Sequence, residues 1–111
     1  IEDHESSRRS LTLLLRQRGY LVDPAETAAE ARTLAALGGY DLLISDIGLP
    51  DDDGNVLMAE LREKFGLRGI ALSGYGMEGD IARSRAAGFV AHLTKPIRIE
   101  SLNAAIGMAL K

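Results

Sequence analysis

Three short apolar runs constrain this chain most: Leu42-Leu43-Ile44, Ile70-Ala71-Leu72 and Phe89 to Leu93. Continuous apolar runs of this length fit strands that are covered on both faces. Between them the apolar residues recur at helical spacing. Leu11, Leu14 and Leu15 do so within Ser6–Arg18, where Gly19 is the stop. Tyr20–Val22 reads as a further short strand. Thr27 and Glu30 have capping-box spacing ahead of the stripe Ala28, Ala31, Leu34, Ala35, which Gly38-Gly39 closes. Leu57, Leu61 and Phe65 mark a helix after Gly54, Asp80–Ala87 reads as a more polar one, and Ile99, Leu102, Ile106 and Ala109 mark the last. Strands alternating with helices imply parallel pairing through right-handed crossovers. The expected fold is an open doubly wound parallel α/β sheet with helices on both faces. Ligands of such sheets bind beyond the carboxyl ends of the strands.

The length, 111 residues, predicts a single domain over 1–111. With 13 Lys+Arg against 16 Asp+Glu, the net charge of −3 argues against direct nucleic-acid binding, which needs a basic surface. The absence of Cys excludes disulfides and thiolate metal sites. No apolar stretch approaches a bilayer span, and the polar first ten residues show no signal peptide. A cytoplasmic domain without membrane contact is expected. The pattern also calls for a strand before the first helix, yet only Ile1 precedes Glu2-Asp3. Most of that strand is expected to lie outside this chain, as in an incomplete polypeptide.

The predicted strand ends collect polar groups. Glu2 and Asp3 follow the first strand, Asp46 ends the run from Asp41, Ser73 ends the run from Ile70, and Lys95-Pro96 follows the run from Phe89. Crowded carboxylates repel one another unless a cation joins them. Hard oxygen ligands with open positions suit Mg²⁺. Asp46 has the chemistry to act as a nucleophile toward a phosphoryl group, giving an acyl phosphate. Mg²⁺ and Lys95 would neutralise phosphoryl oxygens, and the Ser73 hydroxyl would donate to one of them.

These residues resemble the receiver domain of bacterial two-component response regulators, from Ile1 to Lys111. The marks are Glu2-Asp3, Asp46 followed by Leu49-Pro50 and Gly54, Ser73-Gly74, and Lys95-Pro96. The resemblance implies a flavodoxin-like, five-stranded sheet of order 2-1-3-4-5. It implies that Asp46 accepts phosphate from the phosphohistidine of a histidine kinase or histidine phosphotransfer domain. It implies Mg²⁺ held by Asp3, Asp46 and the Gly48 backbone carbonyl, with Glu2 acting through water. It implies a signalling phosphoacceptor rather than an enzyme, a Ser73 switch and a cis Lys95-Pro96 bond. Gly74-Tyr75-Gly76-Met77 and Ala91–Pro96 are similar to the receivers fused behind hybrid sensor histidine kinases, which places kinase domains upstream.

One position departs from the family. Three residues before the Lys, where Tyr or Phe usually changes rotamer, stands His92. An imidazole switch there would titrate near neutrality. Two rival readings follow from the same residues. A non-phosphorylated pseudo-receiver would keep the fold for docking alone. A Mg²⁺-dependent phosphatase would need a second acid two residues after its nucleophile, where this chain has Gly48. Asp51-Asp52-Asp53 reads as a polar loop with Asp53 at a helix N-terminus, where negative charge is favoured, rather than as a metal cluster. His4 reads as exposed. Gly74–Gly79 lacks the ending of a P-loop and reads as a mobile loop near the active edge.

Overall fold

The computed structural model describes residues 1–2, 4–74 and 78–110, without the side chains of 78–80. Five helices, α1 (Glu5–Gln17), α2 (Ala28–Leu37), α3 (Gly54–Phe65), α4 (Glu78–Ala87) and α5 (Ile99–Ala109), alternate with strands β1 (Leu42–Asp46), β2 (Arg68–Ser73) and β3 (Phe89–Thr94). Local chemistry explains the boundaries. The Thr27 hydroxyl accepts from the Glu30 N–H at 3.1 Å and starts α2. Glu30 closes the box one residue early, on the Glu26 N–H at 3.0 Å. The Asp53 carboxylate accepts from the Asn55 N–H at 2.7 Å and starts α3. Gly66, at φ 69°, ends α3 in the left-handed conformation that a side chain disfavours.

The three strands pair in parallel in the order β1-β2-β3. Two apolar layers sandwich them. On one face Ala71 and Phe89 pack with Ala28, Ala31 and Ala35 of α2 and Leu57, Met58 and Leu61 of α3. On the other, Ile70 and Leu72 pack with Leu15 of α1 and Leu102, Ala105 and Ile106 of α5. The α/β expectation is met, and these strands stand in the last three places of the expected order.

The five-stranded sheet is not seen among the described residues. Tyr20–Val22 forms no ladder. In the expected order its neighbour would be the first strand, and only Ile1-Glu2 lies there. That dipeptide bridges both sides: the Glu2 N–H donates to the Ala25 carbonyl, the Ile1 amine to the Ile44 carbonyl, and the Asp46 N–H to the Ile1 carbonyl. Beyond it lies a cavity of about 510 Å³ lined by Leu11, Leu15, Val22, Leu34, Leu42 and Leu43, among others. Residues 20–22 join no ladder; the Tyr20 N–H donates instead to the Leu15 carbonyl, and the Val22 carbonyl accepts from Arg16. Among the described residues, no helix is long and apolar enough to cross a membrane.

Candidate functional site

Parallel pairing brings the carboxyl ends of all three strands to one edge. Asp46 is opposite Leu72, and Ser73 is opposite Thr94. The chain then turns away through Lys95-Pro96, whose peptide bond is cis, as the resemblance implied. A cavity of about 420 Å³ opens at this edge. Asp46, Ile47, Gly48, Ser73 and Lys95 line it, together with Asn55 and Arg83.

Gly54 sets the floor of the site. Its N–H donates to the Ile47 carbonyl at 2.6 Å. A Cβ there would lie 2.3 Å from the Asp46 carbonyl oxygen and 2.8 Å from the Ile47 Cα. Only glycine allows α3 to start this close to the chain that carries Asp46. Gly48 and Asp53 form an antiparallel bridge that closes the loop between them.

The charges are tightly arranged. Lys95 Nζ lies 2.8 Å from Glu2 Oε2 and 3.0 Å from Asp46 Oδ1. Glu2 is 3% exposed and Asp46 5%, so both carboxylates have lost most of their water. Burial pushes the Asp46 carboxyl up to about 7, and the adjacent Glu2 carboxylate reinforces this. Burial also raises Glu2. Hydrogen bonds with Asp46, Lys95 and the His4 backbone overcome this and hold Glu2 down at about 2. Lys95 is lowered by burial but raised more by its two carboxylate partners, so it stays charged.

Asp46 Oδ1 is buried and accepts no hydrogen bond of good geometry. A buried carboxylate oxygen without a well-aligned donor, beside a second acid, fits a hard divalent cation. Of the expected ligands, Glu2, Asp46 and Gly48 stand at this edge, and Asp3 lies outside the described residues, as do Tyr75, Gly76 and Met77 of the expected mobile loop. Among the described residues alone, no group of three His, Cys, Asp or Glu side chains could hold a metal.

The acidic triplet is taken up elsewhere. Asp51 accepts from the Ala28 and Ala29 N–H groups at 2.9 and 3.0 Å, capping α2. Asp52 pairs with Arg32, which also reaches Glu60 at 3.1 Å. Asp53 caps α3, as its position before Gly54 indicates. His4 is exposed, with Nδ1 3.1 Å from Glu2 Oε1.

His92 is half-buried, with Nε2 2.7 Å from Ser73 Oγ and Nδ1 3.1 Å from Ser84 Oγ. Sequence reasoning missed Ser84, Asn55 and Arg83. Ser84 is fully buried in a helix that reads as polar, and no local pattern marks it. The buried Asn55 Oδ1 has no hydrogen-bond partner among the described residues.

Known proteins share this fold. Residues 1–107 match the family described as the response regulator receiver domain. The chain is 36% identical over 111 residues to the KDP operon transcriptional regulatory protein KdpE of Escherichia coli, covering 100% of this chain and 49% of that protein. It is 34% identical over 110 residues to the transcriptional regulatory protein PdtaR of Mycobacterium tuberculosis, covering 98% and 54%. It therefore spans about half the length of these curated relatives. A CheY-like receiver domain structure from Methanospirillum hungatei superposes with a TM-score of 0.90 at 28% identity, over 98% of this chain and 88% of that one. The receiver domain of a signal transduction histidine kinase from Syntrophus aciditrophicus gives 0.86 at 27% identity, over 99% and 86%. With the match running nearly end to end and the acids, hydroxyl and lysine gathered at one sheet edge, this chain belongs to the response regulator receiver domain family.

Proposed function

We propose that this domain is a phosphoacceptor in two-component signalling, with Asp46 as the residue phosphorylated. The carrying observation is the buried Asp46 carboxylate at the end of β1, with Lys95 Nζ 3.0 Å from its Oδ1. A carboxylate oxygen of Asp46 attacks the phosphorus of a phosphohistidine. The P–N bond breaks, the imidazole leaves with its electron pair, and an acyl phosphate forms. Lys95 balances charge on the phosphoryl oxygens, and the Ser73 hydroxyl donates to one of them once it turns inward. Only the ionised Asp46 carboxylate can attack, and burial, which raises its carboxyl, works against that form.

Glu2, Asp3, Asp46 and the Gly48 carbonyl are the groups that would hold Mg²⁺. When bound, the ion supplies positive charge to the phosphoryl oxygens and to the crowded acids. Receiver domains interact with histidine kinases or phosphotransfer proteins, and such a donor is the partner proposed here. The likeness to the receiver of a histidine kinase supports, as the finer reading, fusion behind kinase domains. The domain acts as the substrate of a signalling transfer rather than as a turnover enzyme. Switching then draws its energy from contacts that differ between the free and phosphorylated states.

Intact-mass spectrometry after incubation with Mg²⁺ and acetyl phosphate tests this. The expected result is one phosphoryl adduct on wild type, lost with EDTA and absent from Asp46→Asn. A folded protein that takes no adduct would instead be a pseudo-receiver used for docking.

A further inference from the structure

Ser73 and His92 face each other diagonally across the β2–β3 pair. Ser73 is opposite Thr94, and His92 is opposite Ala71. Residues two apart on a strand share a face, so both side chains project on the side where Ala71 packs against α3. There His92 lies between two hydroxyls, Ser73 Oγ at 2.7 Å from Nε2 and Ser84 Oγ at 3.1 Å from Nδ1.

For a neutral imidazole, one placement of the hydrogens makes all three bonds of this chain at once. The Ser84 hydroxyl donates to the Ile81 carbonyl at 2.9 Å. A carbonyl only accepts, so the single hydrogen of Ser84 is committed to it. Ser84 Oγ must then accept from His92 Nδ1, which carries the ring proton. A neutral imidazole has one N–H, so Nε2 is the acceptor and Ser73 donates to it. A serine hydroxyl has one hydrogen. While it is given to His92, it cannot be given to a phosphoryl oxygen.

We propose that His92 is a positioning residue that latches Ser73. Its tautomer, fixed by Ser84 on α4, holds the Ser73 hydroxyl away from a phosphoryl group on Asp46. This rests on the reading of Asp46 as phosphoacceptor. An aromatic ring without an acceptor nitrogen cannot hold Ser73 in this way, so the latch is specific to the imidazole. Phosphorylation must break the bond, and its capture of Ser73 leaves the imidazole tied to α4 alone.

Nitrogen-15 NMR of the histidines near about pH 8, above the ordinary imidazole range, reads the tautomer directly. The latch requires Nδ1 protonated and Nε2 bare in the unphosphorylated protein. It also requires the Nε2 signal to move when Mg²⁺ and beryllofluoride, a phosphoryl mimic, are added. A protonated Nε2, or an Nε2 signal unmoved by a bound mimic, would overturn it.

His92→Phe is expected to tighten the apparent affinity for beryllofluoride roughly 2- to 10-fold, the worth of one neutral hydrogen bond. Ser84→Ala lies outside the Asp46 cavity and frees the tautomer, so it should shift affinity in the same direction by less. Affinity unchanged in both variants, with the mimic bound to wild type, overturns the latch and leaves Asp46 as acceptor. Failure of wild type to bind the mimic or take up phosphate overturns the functional reading, and the latch with it.

Discussion

Lys95 Nζ lies 2.8 Å from Glu2 Oε2, although 93 positions separate the two residues in the chain. The same ammonium reaches Asp46 Oδ1 at 3.0 Å, so one cation serves two buried acids. A single positive charge cannot fully balance both, and burial raises the Asp46 carboxyl. That deficit is what a phosphoryl transfer site with a divalent ion would draw on.

The raised Asp46 carboxyl makes metal-free stability depend on pH. The folded-state pKa of Asp46 is raised to about 7, so its contribution is fully present below the ordinary carboxylate pKa and is lost as pH rises through about 7. Glu2 is held at about 2, so it contributes slope only in acid, where stability falls as pH drops. Between about pH 5 and 6 the decline therefore belongs to Asp46, and above about 6 the buried Ile1 amine, held down at about 6, adds slope of the opposite sign. Urea unfolding in EDTA is expected to show a midpoint that falls across this window. Asp46→Asn should flatten it and add about 1–3 kcal/mol at pH 8. A wild type and variant with parallel pH profiles would contradict this assignment.

Mg²⁺ should reverse that penalty. A ligand that binds only the folded state stabilises by about 2.7 kcal/mol at a hundred times its dissociation constant. Urea midpoints measured with and without Mg²⁺ are expected to rise in wild type and to return with EDTA. The rise should be much smaller in Asp46→Asn. Equal responses in the two proteins would place the ion elsewhere.

Lys95→Met removes the cation while keeping much of the stem. Hydrogen bonds to charged groups carry about 1.5–3 kcal/mol, which converts to a loss of roughly 10- to 100-fold in the rate of phosphorylation by acetyl phosphate. The rate is read by intact mass against time. A change of less than twofold would remove Lys95 from the site.

Gly54→Ala should damage both stability and phosphorylation, because the added Cβ would meet the Asp46 carbonyl oxygen at 2.3 Å and must displace backbone. A cost of about 1–3 kcal/mol is expected. Gly107→Ala in α5 is the contrast: nothing lies within 4 Å of its Cβ position. It should stabilise by about 0.5–1 kcal/mol and leave phosphorylation alone. Urea unfolding with intact-mass readout separates the two.

Asp51→Ala separates the acidic triplet from the metal site. Asp51 caps the α2 N-terminus through two backbone N–H groups, so its loss should lower the thermal midpoint. The Mg²⁺ response should be unchanged. A lost Mg²⁺ response would return this acid to the ligand set.

The sequence alone determined the layers and the edge. The apolar runs at 42–44, 70–72 and 89–93 report two-sided burial through nearest neighbours, so strand identity and parallel order are legible without partners. Asp46, Ser73 and Lys95 sit at the ends of those runs, which fixed where the chemistry collects. The same local reasoning predicts a strand at Tyr20–Val22, which joins no ladder among the described residues, because a strand exists only with a neighbour to bond and periodicity does not report the neighbour. Three further facts were decided by tertiary structure. Lys95 pairs with both Glu2 and Asp46, Asp51 caps α2 from a loop more than twenty residues away, and His92 lies between the hydroxyls of Ser73 and Ser84. Each depends on burial and on partners distant in sequence, and periodicity records which face of an element is covered but not which side chain covers it.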